Sequence, residues 1–310
     1  MEVQELLGAL FNVLLVVVIM SAMLSAGFTT TFATLGAVLS RVGLVLMVLF
    51  TGLVIRPLIG WGTAELFGLA VPAFIALVIV SSVPGAPLGV IFAMKAKADV
   101  ATAATFQVLL ALVGSFTFAP TANWIIEAAD LGEEISLPVA DLIKTIAFLQ
   151  ILPFVVGLLI RHWNEKGALE WNEFAKKITG PGLLAIVALA LLGSWQMIID
   201  LIGARVLFAG VVFTVAMIAL GYFISEGDRP TRAATALIEP NANAGPALAA
   251  VAIAFNNDPE ILGAMTALLL MGLVITGPIG TWLGKDQADE GEGGQEARGE
   301  DSLTEETGSG

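Results

Sequence analysis

One short stretch of the chain sets polar side chains among apolar neighbours: residues 238–246 read IEPNANAGP. Its carboxylate, Glu239, and its carboxamides, Asn241 and Asn243, offer oxygen atoms to a cation, and the carboxyl group can instead carry a proton. Glu239 is also the only acidic residue well inside a predicted membrane span, where a charge is costly and indicates a functional site. We therefore interpret these three residues as ion or substrate ligands, with Glu239 and Asn243 as possible Na+ ligands.

A second stretch, residues 81–89, reads SSVPGAPLG and places Ser81 and Ser82, two further candidate ligands, before a similar interruption. Proline and glycine in both stretches cannot sustain a helix, so nearby carbonyl groups lose their amide partners. Such backbone is tolerated at membrane depth where it lines a cavity or is buried in protein. Ordinary structural kinks are the alternative interpretation. The predicted helix-breaking residues are Pro84, Gly85, Pro87, Pro240, Gly245 and Pro246.

Long apolar segments carry these two stretches. The chain has 310 residues, 57% hydrophobic and 13% charged, with a mean hydropathy of +0.90. This composition excludes an ordinary soluble enzyme and predicts an all-α polytopic membrane protein. Because a spanning helix needs about 20 apolar residues, we predict nine spans. They cover 6–26, 42–60, 64–97, 99–121, 139–160, 179–199, 204–225, 229–256 and 259–283.

The two broken spans, 64–97 and 229–256, occupy corresponding places in the predicted order. The first span pairs with the sixth, and the pairing continues to the fourth with the ninth. Paired spans are five apart in the order, so they cross the membrane in opposite directions, which predicts an inverted repeat. Interrupted segments at matching positions of two such halves indicate the binding site of a secondary transporter. We therefore expect two crossing discontinuous helices.

The distribution of basic residues predicts the orientation. With nine spans, ten Lys and Arg residues fall on one side, whereas only Arg56, Lys144 and Arg205 fall on the other. The positive-inside rule then places the N-terminus outside and the C-terminus in the cytoplasm of a bacterial-type inner or plasma membrane. Residues 1–284 form the predicted transporter domain. Residues 285–310 are rich in Gly, Glu and Asp, which predicts a disordered acidic tail.

Four stretches resemble the bile acid:sodium symporter family, in its bacterial branch. They are residues 11–36, VPGAP at 83–87 with AKADVA at 96–101, GDRPTR at 227–232 continuing to 245, and AFNNDPEIL at 254–262. The resemblance implies a core domain, here about 64–121 and 204–283, and a panel domain, about 6–60 and 139–199. It also implies a nine-helix form and sodium-driven uptake of organic anions.

The first break departs from the family pattern. Sodium-coupled members have a Ser-Asn pair just after it, where residues 88–90 of this chain read LGV. The hydroxyl groups that the family has on the following span would fall near Ala103 and Gln107, with Thr102 and Thr105 close by but shifted. Gln107, Thr102 and Thr105 are therefore candidate ligands. One sodium site is therefore expected to be dismantled.

The second break keeps more of the pattern. Glu239 matches the family's glutamate, and Asn243 stands near its amide positions. A second site could be built from these two side chains, local carbonyl groups and a residue of 78–82. Coupling to H+ through Glu239 is equally open.

The predicted function is secondary active transport of a small organic anion, coupled to Na+ or H+. A passive channel and a monovalent cation/proton antiporter are the alternatives. We expect no enzymatic activity, no cofactor other than the coupling ion and no nucleic-acid partner. Membrane lipid and the organic anion are the expected partners, and the sequence does not predict an oligomeric state.

Overall fold

The computed structural model of the protein describes residues 3–131, 135–200 and 205–307, which contain helices and no strand. Two short segments, Thr51–Ile55 and Ala147–Ile151, are π-helical. The α-helices are α1 Val3–Thr29, α2 Phe32–Leu39, α3 Val42–Phe50, α4 Arg56–Phe67, α5 Val71–Ser82, α6 Pro87–Lys95, α7 Val100–Ala128, α8 Val139–Ile146, α9 Leu152–Trp163, α10 Glu165–Asp200, α11 Arg205–Ile224, α12 Arg229–Ile238, α13 Ala244–Phe255 and α14 Pro259–Thr307.

The described helices are long and apolar enough to confirm a polytopic membrane protein. Five of them pass as single spans: Val42–Phe67, Val100–Ala128, Val139–Trp163, Arg205–Ile224 and Pro259–Gly284. If each of two bent helix pairs is counted as one span, the number among the described residues rises to seven. One joins Val13–Thr29 to Phe32–Leu39 at 84°, and the other joins α5 to α6 at 67°. The count of nine and the inverted repeat stay predictions.

The second span is longer than the sequence predicted. A boundary was expected between residues 60 and 64, but the helix runs from Val42 to Phe67 and ends at Gly68, whose φ is +53°. Glycine adopts this left-handed conformation without strain, and it closes the helix by donating its N–H to the carbonyls of Ala64 and Glu65. Consequently Arg56, expected near the outer end of a span, lies in its middle.

Two other predicted connections are helical. Residues 32–39, which the sequence left between spans, form α2, and the predicted loop before span 179–199 is the first part of α10. The predicted acidic tail begins within α14, and its last residues, 308–310, lie outside the described residues. Its disorder stays a prediction.

Each π-helical segment stands just before a proline, Pro57 or Pro153. Proline donates no backbone hydrogen bond and its ring crowds the carbonyl four residues earlier, so the helix widens there instead of keeping its regular ladder. Such widened turns are frequent at functional sites. Both segments face the breaks described below.

The half-helices that lead into the two breaks are enclosed by protein. Residues 73–82 of α5 and 233–238 of α12 are all buried. α5 packs against α4, α7 and α14, while α12 packs against α6, α7 and α11. On another side of the molecule, α1 packs against α9 and α10. The carbonyl groups at the ends of α5 and α12 therefore lie inside the protein, away from lipid.

Candidate functional site

The two helix breaks are joined directly to each other. The backbone N–H of Asn243 donates to the carbonyl of Val83 over 2.9 Å. Residues 80–86 and 237–243 are all buried. Breaks that lie 160 residues apart in sequence therefore form one buried structural centre.

The first break depends on glycine. Gly85 has a φ of +87°, and a β-carbon there would lie 2.5 Å from the backbone nitrogen of Ala111. Only glycine meets both conditions, because other residues strain at this φ and would clash with α7. After the break, α6 starts with Pro87 at its first turn, where its missing N–H costs no hydrogen bond. Pro84 packs against Gly114 of α7.

The carboxylate of Glu239 lies at the C-terminal end of α12 and is fully buried. A β-carbon added at Gly52 would lie 3.3 Å from its Oε2 and 3.6 Å from its Oε1, so the carboxylate faces bare backbone of the first π-helical segment. Neither oxygen has a hydrogen-bond partner. Burying an unpartnered carboxylate is costly. This group is therefore suited to take up a cation or a proton.

Arg56 is the site residue that the sequence analysis missed. Its guanidinium is completely buried, and it donates from Nε to the carbonyl of Glu239 over 2.9 Å and from Nη1 to the carbonyl of Ser81 over 2.6 Å. Its Cζ also lies 5.5 Å from the ring centre of Phe213. The sequence showed an arginine four residues before a predicted span end. Only the continuation of the helix to Phe67 puts it at the breaks.

The two predicted asparagines have different surroundings. Asn243 donates from Nδ2 to Oε1 of Gln150 in the second π-helical segment over 2.9 Å. Gln150 is 1% exposed and was also not predicted, since a single glutamine in an apolar span carries no pattern. Asn241 donates to the carbonyl of Leu237, one turn back in α12. Asn241 therefore stabilises the last turn of α12, whereas Asn243 links the second break to the second π-helical segment.

Three further predicted ligands lie around the first break. Ser81 donates its hydroxyl to the carbonyl of Val78, while Ser82 Oγ and Gln107 Nε2 are buried without a hydrogen-bond partner. The backbone carbonyl of Gln107 lies beside Gly85. Together with Glu239, these unpartnered atoms surround the breaks with polar groups that a ligand can satisfy.

Thr102 and Thr105 lie at the start of α7 and are already engaged. Thr102 donates to the carboxylate of Asp99, the residue that caps α7, and Thr105 donates to the carbonyl of Ala101. No hydrogen bond among the described residues joins either threonine to the breaks. Their role as ligands stays a prediction.

The second break continues into α13 through Pro240, Gly245 and Pro246. Gly245 packs against α1, since a β-carbon there would lie 2.5 Å from a side-chain carbon of Ile19. On one side of this break lies a cavity of about 60 Å³ lined mainly by apolar side chains, with Asn241 among its polar groups. A narrower crevice is lined by both breaks, α7 and Gln150.

The N-terminal end of α12 is fixed by a capping interaction. Asp228 accepts the backbone N–H of Thr231 over 3.1 Å. Hydrogen bonding from Thr231 holds the pKa of the Asp228 carboxyl below its ordinary value. The starts of α7 and α12 are also tied together, because the N–H of Asp99 donates to the carbonyl of Pro230 over 3.1 Å.

Comparison with known proteins adds one family. Residues 15–201 match the model of the Sodium Bile acid symporter family. This match covers more than half of the chain, including the first break and both π-helical segments, and it ends before the second break. No curated protein matches the chain. The extent of the family match shows that this chain belongs to the sodium bile acid symporter family.

Proposed function

We propose that the protein is a secondary active transporter that moves a small organic anion together with a monovalent cation, Na+ or H+. The family is one of symporters, and its description names sodium and bile acid. One observation carries the proposal for this chain. The buried, unpartnered carboxylate of Glu239 lies where two helix breaks are hydrogen-bonded to each other. Catalysis and a resident cofactor have no part in it.

In the proposed site, α5 with α6 and α12 with α13 each form one discontinuous transmembrane helix. The C-terminal ends of α5 and α12 carry partial negative charge, and the N-terminal ends of α6 and α13 carry partial positive charge. The first pair of ends, with Glu239, suits a cation, whereas the second pair suits the carboxylate of an organic anion. One centre can therefore bind both co-transported species.

The proposed movement separates a core from a panel. The core comprises the broken helices with α7, α11 and α14, and it begins at Val71 because α4 runs to Phe67. The panel comprises about 6–60 and 139–199. Besides the hydrogen bonds of Arg56, contacts that cross this boundary include the approach of Gly52 to Glu239 and the hydrogen bond from Asn243 to Gln150. We propose that these contacts break and re-form as the site opens to each side.

The proposed topology has nine spans in an inverted repeat, with the N-terminus outside and the C-terminus in the cytoplasm of a bacterial-type inner or plasma membrane. The breaks support the repeat, since each follows a short buried half-helix and precedes a second one. Among the described residues, no contact favours a passive channel. An antiporter would be favoured by an acidic group in the first break as well, and residues 81–90 contain none.

Uptake into proteoliposomes tests the proposal. Labelled bile acids and small carboxylates serve as probes, and a Na+ or pH gradient is imposed. We expect at least one probe to accumulate above its electrochemical equilibrium, which a channel cannot achieve. Glu239→Gln should abolish accumulation, because an amide cannot exchange a proton or neutralise a bound cation.

The matched control is Glu226→Gln, which removes an exposed carboxylate outside the breaks. It should leave accumulation unchanged. Accumulation by Glu239→Gln at the wild-type level would remove Glu239 from the coupling mechanism. Passive equilibration of every transported probe, in any gradient, would replace the transporter with a channel.

A further inference from the structure

The carbonyl groups at the ends of α5 and α12 are occupied by a side chain of the protein. The last carbonyls of a helix have no intrahelical partner, and in discontinuous membrane helices such oxygens coordinate Na+. Here the carbonyl of Ser81, in α5, and the carbonyl of Glu239, at the end of α12, both accept hydrogen bonds from Arg56. One guanidinium therefore bridges the negative ends of both half-helices.

Arg56 is held as a dehydrated cation would be held. Its side chain has no exposed surface, and the two carbonyl contacts, of 2.9 and 2.6 Å, are joined by the ring face of Phe213. No ion pair among the described residues includes Arg56. The guanidinium does not lose its proton in proteins. Its charge is therefore permanent and is stabilised by backbone dipoles, a π face and Glu239 at longer range.

The same geometry disfavours a second cation. The main chain of Glu239 binds Arg56, while its carboxylate turns toward Gly52 without a partner. A Na+ at the carbonyls would have to displace two charge-assisted hydrogen bonds, and a Na+ at the carboxylate would approach a fixed like charge across a desolvated space.

We propose that Arg56 is a built-in cation that replaces a mobile Na+ at the crossing of the two broken helices. The transport cycle then requires no Na+ at this position. The inference rests on the proposed function, which identifies this position as the site of a coupling ion. Within that function it leaves H+ as the coupling ion to be tested, because the position of a bound Na+ is taken by the guanidinium. The permanent charge also attracts the organic anion.

Na+ binding to the purified full-length protein tests this inference without knowledge of the organic substrate. Thermal unfolding in detergent is followed while NaCl replaces choline chloride at constant ionic strength. The wild-type midpoint should not change with Na+. Arg56→Met frees both carbonyls beside the Glu239 carboxylate and should gain saturable stabilisation, of roughly 2–4 °C at about five times the dissociation constant.

Two variants serve as controls. Arg56→Lys keeps the positive charge and should remain indifferent to Na+. Arg205→Met removes an exposed arginine that donates to the carbonyl of Phe67 outside the breaks, and it should gain no Na+ response. If Arg56→Met fails to fold, ²²Na+ binding to wild type and Arg56→Lys decides the matter, because the inference requires that neither binds it saturably.

Saturable Na+ binding by the wild type, lost in Glu239→Gln, would overturn the inference, as would a folded Arg56→Met variant that Na+ does not stabilise. Failure of the proposed function gives a different result. Uptake driven by Na+ would refute the built-in cation and keep the transporter. If no probe accumulates and only Arg56→Met is stabilised by Na+, the proposed transport function is refuted while the assignment of Arg56 is kept.

Discussion

Removal of the buried charges one at a time and together should reveal their coupling. Arg56→Met takes away the donor to two buried carbonyls and leaves the Glu239 carboxylate without its counter-charge. Hydrogen bonds to a charged group contribute about 1.5–3 kcal/mol each. Loss of two, offset by the recovered cost of burying the guanidinium, gives a net destabilisation of about 3–5 kcal/mol, the range for breaking a buried charge pair.

The coupling between Arg56 and Glu239 has an upper limit from their separation. Their charged groups form no ion pair within 4.0 Å. At that distance and an effective dielectric constant of about 20, the attraction is about 4 kcal/mol, so we expect a coupling of about 1–3 kcal/mol. The double variant Arg56→Met with Glu239→Gln should therefore lose less stability than the sum of the two single variants.

A double-mutant cycle measures this coupling from thermal unfolding in detergent, in choline chloride so that Na+ cannot replace the lost charge. For a chain of this size, about 1 kcal/mol corresponds to roughly 2–4 °C in the midpoint. Additivity within about 0.5 kcal/mol would show that the two groups act independently. That result would refute the electrostatic reasoning applied to this centre.

Three further variants probe the backbone and the neighbouring contacts. Gly85→Ala should unfold at a clearly lower temperature, because of its positive φ and its contact with α7, whereas Gly36→Ala, with open space around it, should not; equal midpoints would contradict the close approach. Gln150→Leu should lower the free energy of unfolding by about 1–3 kcal/mol, since it leaves the buried amide of Asn243 unpaired. An unchanged unfolding temperature would show that water can satisfy that amide. Asp228→Ala should cost about 1 kcal/mol at pH 7, as for other helix caps. Because the pKa of Asp228 is lowered on folding, its contribution is present above the unfolded pKa of about 3.9 and is lost as pH falls through the folded value, so the two melting curves should converge in acid.

The chemistry of the second break was readable from sequence because it is local. A glutamate directly before a proline in an apolar segment stands out in the sequence, and Glu239 lies buried where Arg56 joins it to the first break. Its role as a ligand stays a prediction. Gln150 and Arg56 were not found for the opposite reason. Each is a single polar residue in a different span, and its relevance depends on contacts with residues 93 and 183 positions away.

The sequence by itself determined that this is a helical membrane protein with two interrupted segments, because hydrophobicity over about 20 residues and the conformational limits of Pro and Gly act within a short stretch. It also determined the family, because family motifs are recognised by their order and spacing along the chain. The tertiary structure decided what fills the crossing. The turn at Gly68 sets how far the second span extends, and the packing of α4 beside α5 and α11 then brings the Arg56 guanidinium to carbonyls from both halves of the chain. Electrostatic balance at a buried site depends on distances across the fold, and no local pattern of residues encodes them.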